Sequence, residues 1–270
     1  MNVDFVVAGG MRCATGWIRE CLKEHPDIFI AQKEPHFFDR NYEKGLDWYS
    51  SFFVDYKNEE LIGEKTASYF HDLIVPDRIK SNFPNCKIII CLRDPLERMF
   101  SHYSMLAEED QSLRQKGFLD SVQSDIDYVK RSLYYESVSK FIECFSVNDV
   151  LITIYEDKDK DPVKFIQNIY IFVGVDPTFK APSALVRTKL GQFEHNNWFW
   201  GRVGKIMLHP RTPFMFKSMY SAIRPSYTET GITEKEYSIL SKYFIDDIIK
   251  LEEILGRDLN CWKTKKFAIL

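Results

Sequence analysis

AGGMRCATGWIREC, residues 8–21, is the stretch whose reading decides the fold. The apolar run FVVA (5–8) stops at Gly9 and Gly10, Arg12 and Thr15 follow, and a helical pattern over 16–25 begins directly afterwards and ends at His25-Pro26. A strand that turns through glycine into a helix is the opening unit of an open α/β sheet. A helix N-terminus carries unpaired N–H groups and about half a positive charge, so such a corner suits an anion. Gly9 and Gly10 let the backbone approach a ligand, Arg12 adds a cation and the Thr15 hydroxyl adds a donor. An ordinary βα turn with a surface arginine is the plain alternative. The Walker A pattern, GxxxxGK followed by Ser or Thr, is absent, and so is GxGxxG, because the next glycine after Gly10 is Gly16. Both absences disfavour an ATPase and a Rossmann dehydrogenase.

Working outward, apolar runs recur at 28–31 (IFIA), 61–64 (LIGE), 87–93 (KIIICLR) and 150–155 (VLITIY). They read as buried parallel strands. Asp94-Pro95 with Glu97 supplies an N-cap, a proline at the first helical position and a nearby carboxylate, so a helix starts right after Arg93. Asp161-Pro162 repeats the signal before a helix that closes on Gly174. Thr233 and Glu236 form a capping box ahead of one helix with Tyr237, Leu240, Phe244, Ile248, Leu251 and Leu255 on a core stripe, ending at Gly256. EDKDKD (156–161) reads as a solvated loop. The expected architecture is a single α/β domain over 1–270, with a central parallel sheet of about five strands, helices on both faces and ligands beyond the carboxyl ends of the strands. Residues 181–230, with four prolines and many aromatics, read as a loop or lid region on the acceptor side.

Composition narrows the function. The chain has 270 residues, 45% hydrophobic and 15% aromatic, enough for a substantial core. Net charge is −3, so no general basic field advertises nucleic acid, and KTKK (263–266) is too short to do so. No apolar run reaches the ~18 residues of a membrane span, and no leader is evident at the start, which together suggest a cytoplasmic protein. The six cysteines show no zinc spacing and are expected to be free thiols.

Four stretches, taken in order, resemble the PAPS-dependent sulfotransferases (PAPS is 3'-phosphoadenosine 5'-phosphosulfate), nearest to the branch with the heparan sulfate sulfotransferases and many bacterial enzymes. GMRCATGW is similar to the family's 5'-phosphosulfate loop. KEPHFFD (33–39) and EKTASYF (64–70) resemble the segments with the catalytic base and a catalytic lysine, and CLRDPLERMFSHY (91–103) resembles the 3'-phosphate motif. The resemblance implies the P-loop nucleotide-kinase-like sulfotransferase fold, PAPS as co-substrate without a required metal, and 3',5'-ADP as product. Three departures stand out: Arg12 where the family usually has lysine, Cys13 and Ala14 for the usual Ser or Gly, and no match to the late cysteine pair and KGR stretch of the heparan sulfate enzymes.

Carried onto this chain, the resemblance places Arg12, Cys13, Ala14, Thr15, Gly16 and Trp17 around the 5'-phosphosulfate, with Arg93 and Ser101 at the 3'-phosphate. Arg12 and Lys65 stabilise the leaving phosphate. Glu34 is the candidate base; in an extended segment it shares a side with His36, which is the alternative base or an acceptor contact, so both can reach one acceptor. The plain alternatives are a Glu34 that only holds a cation, a half-buried His36 and a surface Lys65. The acceptor is expected to be a small molecule, such as a natural product, or a glycoside, sulfated on a hydroxyl or less readily an amine. Two other readings stay open: a P-loop-like nucleotide kinase and a non-catalytic nucleotide-binding protein on the same scaffold. The residues leave oligomeric state open.

Overall fold

The computed structural model describes residues 2–185 and 231–264, which belong to one compact unit. Most of the segment read as a lid, from 186 to 230 and including Trp198 and Trp200, lies outside the described residues.

Five parallel strands form one sheet: β1 (Phe5–Gly9), β2 (Ile28–Ile30), β3 (Leu61–Lys65), β4 (Lys87–Leu92) and β5 (Val150–Ile154), in the order β2-β3-β1-β4-β5. β1 is central, and the chain leaves it toward β2 and β3 on one side before crossing to β4 and β5 on the other. Beyond its carboxyl end lies the reversal point where α/β sheets bind ligands. The strands are continuous apolar runs because both faces are covered. On one face Phe5, Val7 and Ile89 pack with Ile18 and Leu22 of α1 (Thr15–Glu24) and with Phe165, Ile166 and Ile169 of a helix over Pro162–Val173. Phe5 pairs in register with Gly63, and a Cβ there would come within 2.2 Å of the Phe5 ring, so this strand position admits only glycine.

Two short elements carry much of the site. After β2 the chain runs to α2 (Phe37–Arg40), and after β3 a 3-10 turn spans Ala67–His71. Past β4, α3 (Pro95–Glu109) begins as expected: the Asp94 carboxylate accepts from the N–H groups of Leu96 (2.8 Å) and Glu97 (3.1 Å). Past β5, EDKDKD is a correction to the reading above. Its first five residues belong to α4 (Tyr155–Lys160), where Asp157 takes a two-pronged bond from Arg257 at 2.5 and 2.8 Å and Lys158 lies 5.4 Å from the Trp17 ring. α5 (Pro162–Val173) follows, with Asp161 as cap.

The C-terminal stripe also differs. The capping box at Thr233 and Glu236 forms, but the single expected helix is α6 (Glu234–Leu240), a 3-10 turn over Ser241–Tyr243 and α7 (Ile245–Leu255). Leu240, Phe244, Ile248 and Leu251 are buried, while Tyr237 and Leu255 are half-exposed. A 3-10 turn has about three residues per turn, so it breaks the helix without breaking the stripe.

Candidate active site

The first loop ties itself to the sheet before it offers anything to a ligand. Gly9 is needed for packing: a Cβ there would meet the Phe70 side chain at 2.4 Å and the Ala67 carbonyl at 2.9 Å. The Gly10 N–H donates to the Cys91 carbonyl at 2.7 Å, tying the loop to β4. Arg12 and Ala14 adopt left-handed backbone (φ 67 and 60), and α1 starts with no side-chain cap. Its first internal bond runs from Ile18 N–H to the Ala14 carbonyl at 3.0 Å. Helix geometry therefore leaves the N–H groups of Thr15, Gly16 and Trp17 without partners inside the helix, directed past its N-terminus. The side chains of Cys13, Thr15 and Trp17 are buried. Trp17 donates its ring N–H to the Ser183 carbonyl at 3.1 Å and packs on Phe165. At Cys13 and Trp17 only the backbone has a place at the corner.

Arg12 and Lys65, grouped together by sequence, point to different partners. The Arg12 Nε–H donates to Ser101 Oγ at 3.1 Å, so the first loop and α3 meet at the residue expected to hold a 3'-phosphate. Arg93 follows directly on β4, 3.6 Å from the Glu97 carboxylate and with its guanidinium 4.7 Å from the Tyr155 ring. Around this end Asp94 is buried while Arg93, Glu97 and His102 are half-buried. Asp94 is pushed up to about 7 by loss of solvent, and His102, next to Ser101, is pushed down to about 4 by burial and by Arg98. Two arginines, a hydroxyl and a helix N-terminus form a donor set suited to an anion with several oxygens.

Lys65 is buried at the end of β3 and donates to Glu34 Oε1 at 2.5 Å; Glu34 Oε2 accepts from the Ala67 N–H at 3.2 Å. His36 lies on the other side of the same carboxylate, its Nε2 3.7 Å from Glu34 Oε2. The structure thus brings Glu34 and His36 together, but through a left-handed turn at His36 (φ 49) and not through a uniformly extended segment. His36 Nδ1 is 3.2 Å from Asp39 Oδ2 and 3.1 Å from Ser68 Oγ, and Ser68 donates to that same Asp39 oxygen at 2.7 Å. Asp39 and Ser68 were missed by sequence reasoning. Asp39 had a signal, being three residues past His36, one helical turn away; Ser68 had none. The line Lys65, Glu34, His36, Asp39 alternates cation, carboxylate, imidazole and carboxylate, which is the arrangement of a supported general base.

Beside this line, Asp39, Ser68, His71, Asp72, Lys130 and Arg131 are among the residues around a cavity of about 580 Å³. Its walls mix acids with bases. Among the described residues, no group of three or more His, Cys, Asp or Glu side chains is arranged to hold a metal ion.

Comparison with known proteins bears on the whole arrangement. The family model for the sulfotransferase domain matches residues 2–198. The chain is 26% identical to the mouse bifunctional heparan sulfate N-deacetylase/N-sulfotransferase 4, over 96% of this chain and 31% of that protein. It is 30% identical to human heparan sulfate glucosamine 3-O-sulfotransferase 6, over 63% of this chain and 52% of that one. It therefore spans about a third to a half of the length of these curated relatives. In fold it is similar to the crystal structure of a sulfotransferase from Alicyclobacillus acidocaldarius, with TM-score 0.76 and 20% identity, covering 98% of this chain and 100% of that one. With the family match covering most of its length and the sheet, the glycine corner and the cation-bearing loops all in place, the chain belongs to the sulfotransferase domain family.

Proposed function

We propose that this chain transfers the sulfuryl group of PAPS to a hydroxyl, less readily an amine, of a small-molecule or glycosidic acceptor and releases 3',5'-ADP. The observation that carries the reading is the bond between Lys65 and Glu34, which sets a base and a cation side by side where β3 ends, next to the first loop. Bound PAPS supplies the reactive sulfuryl group and a phosphate leaving group. The donor set fits its anionic ends: Arg12 and the N–H groups at the start of α1 toward the 5' side, Ser101 and Arg93 toward the 3'-phosphate, with the Arg12–Ser101 contact joining the two. Glu34 accepts the proton of the acceptor hydroxyl. Lys65 holds that carboxylate in line and offsets negative charge gathering on the departing phosphate, the kind of fixed electrostatic help that group transfer requires. His36, backed by Asp39 and Ser68, stands at the acceptor side of the base.

The cavity beside Asp39 and Ser68 supports an acceptor of modest size. Its walls mix both charge signs, which suits a polyhydroxylated, neutral or zwitterionic molecule, a natural product among them, better than a densely anionic chain. A cytoplasmic setting, where thiols stay reduced, is part of the same proposal.

A thermal-shift comparison of 3',5'-ADP, 5'-AMP and magnesium ATP tests the reading, since a ligand that binds only the folded state raises its apparent stability. The first should raise Tm by several degrees and the other two little. An equal or larger rise with magnesium ATP would restore the kinase alternative, and transfer of labelled sulfate from PAPS to generic phenols or alcohols separates an enzyme from a binding protein.

A further inference from the structure

Glu64, one residue before Lys65, takes no part in the chemistry above and yet is completely buried. Three hydroxyls converge on it: Tyr49 at 2.9 Å and Tyr69 at 3.1 Å donate to Oε1, and Thr66 at 2.7 Å donates to Oε2. The Tyr69 oxygen also accepts from two main-chain N–H groups, Phe37 at 2.9 Å and Phe38 at 3.2 Å. A phenol has one proton and two acceptor positions. With both acceptor positions facing N–H groups, its proton has Glu64 as its partner, and the direction of the chain of bonds is fixed.

Phe37 and Phe38 are the first two residues of α2, whose N-cap is His36 in a left-handed conformation with no side-chain cap of its own. Helices leave their first N–H groups unpaired, and a cap side chain normally meets them. Here Tyr69 does so from the turn that follows β3. Lys65 grips Glu34 and Glu64 grips Tyr69, and strand alternation sends these two neighbours to opposite sides. One strand end therefore holds both sides of the segment 34–38.

We propose that Glu64, acting through the Tyr69 hydroxyl, is a positioning residue that fixes the His36 turn against the Glu34 base. Its catalytic consequence rests on the sulfuryl-transfer reading, while its structural part stands apart from it. The ring contacts of Tyr69, including its edge-on packing against Phe38 at 5.6 Å, survive in Tyr69→Phe, so this variant removes the hydroxyl and little else.

Two measurements on the full chain test the proposal. In hydrogen exchange followed by NMR without ligand, Tyr69→Phe should speed exchange at the Phe37 and Phe38 amides tenfold or more while leaving β1 and β4 protected. In steady-state assays it should lower kcat tenfold or more with 3',5'-ADP affinity held within twofold. Glu64→Gln, which keeps an acceptor oxygen for Tyr69, should retain protection and at least a third of kcat. Glu64→Leu should behave like Tyr69→Phe, and the double variant Glu64→Leu/Tyr69→Phe should be no worse than the poorer single one. Unchanged exchange at the two amides in Tyr69→Phe overturns the proposal, and so does loss of 3',5'-ADP affinity in step with kcat, which marks general loosening. If the wild-type chain transfers no sulfuryl group, the functional reading falls and the exchange result alone decides this one.

Discussion

The cost of replacing Glu64 should depend on pH, and the structure sets both its sign and its size. Burial in the aromatic layer around Tyr49 and Tyr69 pushes Glu64 from its ordinary 4.5 up to about 7, even though the three donated hydroxyl bonds pull the other way. Between these two values the folded chain keeps a proton that the unfolded chain has released. The stability from that retained proton is fully present below pH 4.5 and is lost as pH rises through 7. At ~1.4 kcal/mol for each tenfold change, the interval bounds the effect at ~3 kcal/mol, and ~2 kcal/mol of it falls between pH 5 and pH 8. Other buried groups titrate in the same range. Asp94 is raised to about 7, and His71 is lowered to about 3 by burial and the nearby Arg98, so its contribution has the opposite sign: it is present above pH 6.5 and is lost as pH falls from there through 3. These contributions cancel when wild type is compared with Glu64→Gln at the same pH. Urea unfolding of both proteins at pH 5, 6, 7 and 8 at constant ionic strength should therefore show the substitution costing ~2 kcal/mol more at pH 5 than at pH 8. A cost constant to within ~0.5 kcal/mol over that range would refute the retained proton, on the same scale.

Two further predictions concern the site. Lys65→Ala should reduce kcat at least tenfold, because it removes both the hold on Glu34 and the positive charge proposed to face the departing phosphate; steady-state kinetics with unchanged kcat would remove it from the chemistry. Arg93→Ala should weaken 3',5'-ADP by about 10- to 100-fold, the range of a charged hydrogen bond worth ~1.5–3 kcal/mol, and weaken 5'-AMP far less. Calorimetry showing equal losses for both nucleotides would place Arg93 away from the 3'-phosphate.

Much of the fold is legible in the residues because buried parallel strands need no partner to be recognised. All five apolar runs end within a residue of the strands observed, and Asp94-Pro95 and Asp161-Pro162 start helices where local capping chemistry says they should. What escaped depends on distant residues. EDKDKD looks like a solvated loop until Arg257 reaches Asp157 and Lys158 folds toward Trp17. Spacing alone put Glu34 and His36 on one side, for a reason that does not apply: the His36 turn is left-handed, and its N–H groups are met by Tyr69. Arg12 and Lys65 were grouped by charge and motif, while reach and strand position divide them between Ser101 and Glu34.

That division gives the sheet, and not the loops, control over the distance between the two elements proposed to bind the nucleotide. β1 and β4 pair directly, with Val7 opposite Ile89 and Gly9 opposite Ile90, and Gly10 continues the attachment by donating to Cys91. The Arg12 loop springs from β1, and the helix bearing Ser101 springs from β4. Their separation is therefore set by neighbouring strands, which lie only ~5 Å apart. A loop held this way has little freedom to trade a long anion for a short one. Selection of a nucleotide with phosphates at both ends would then follow from strand pairing, with Arg12 and Arg93 supplying charge at positions the backbone has already fixed.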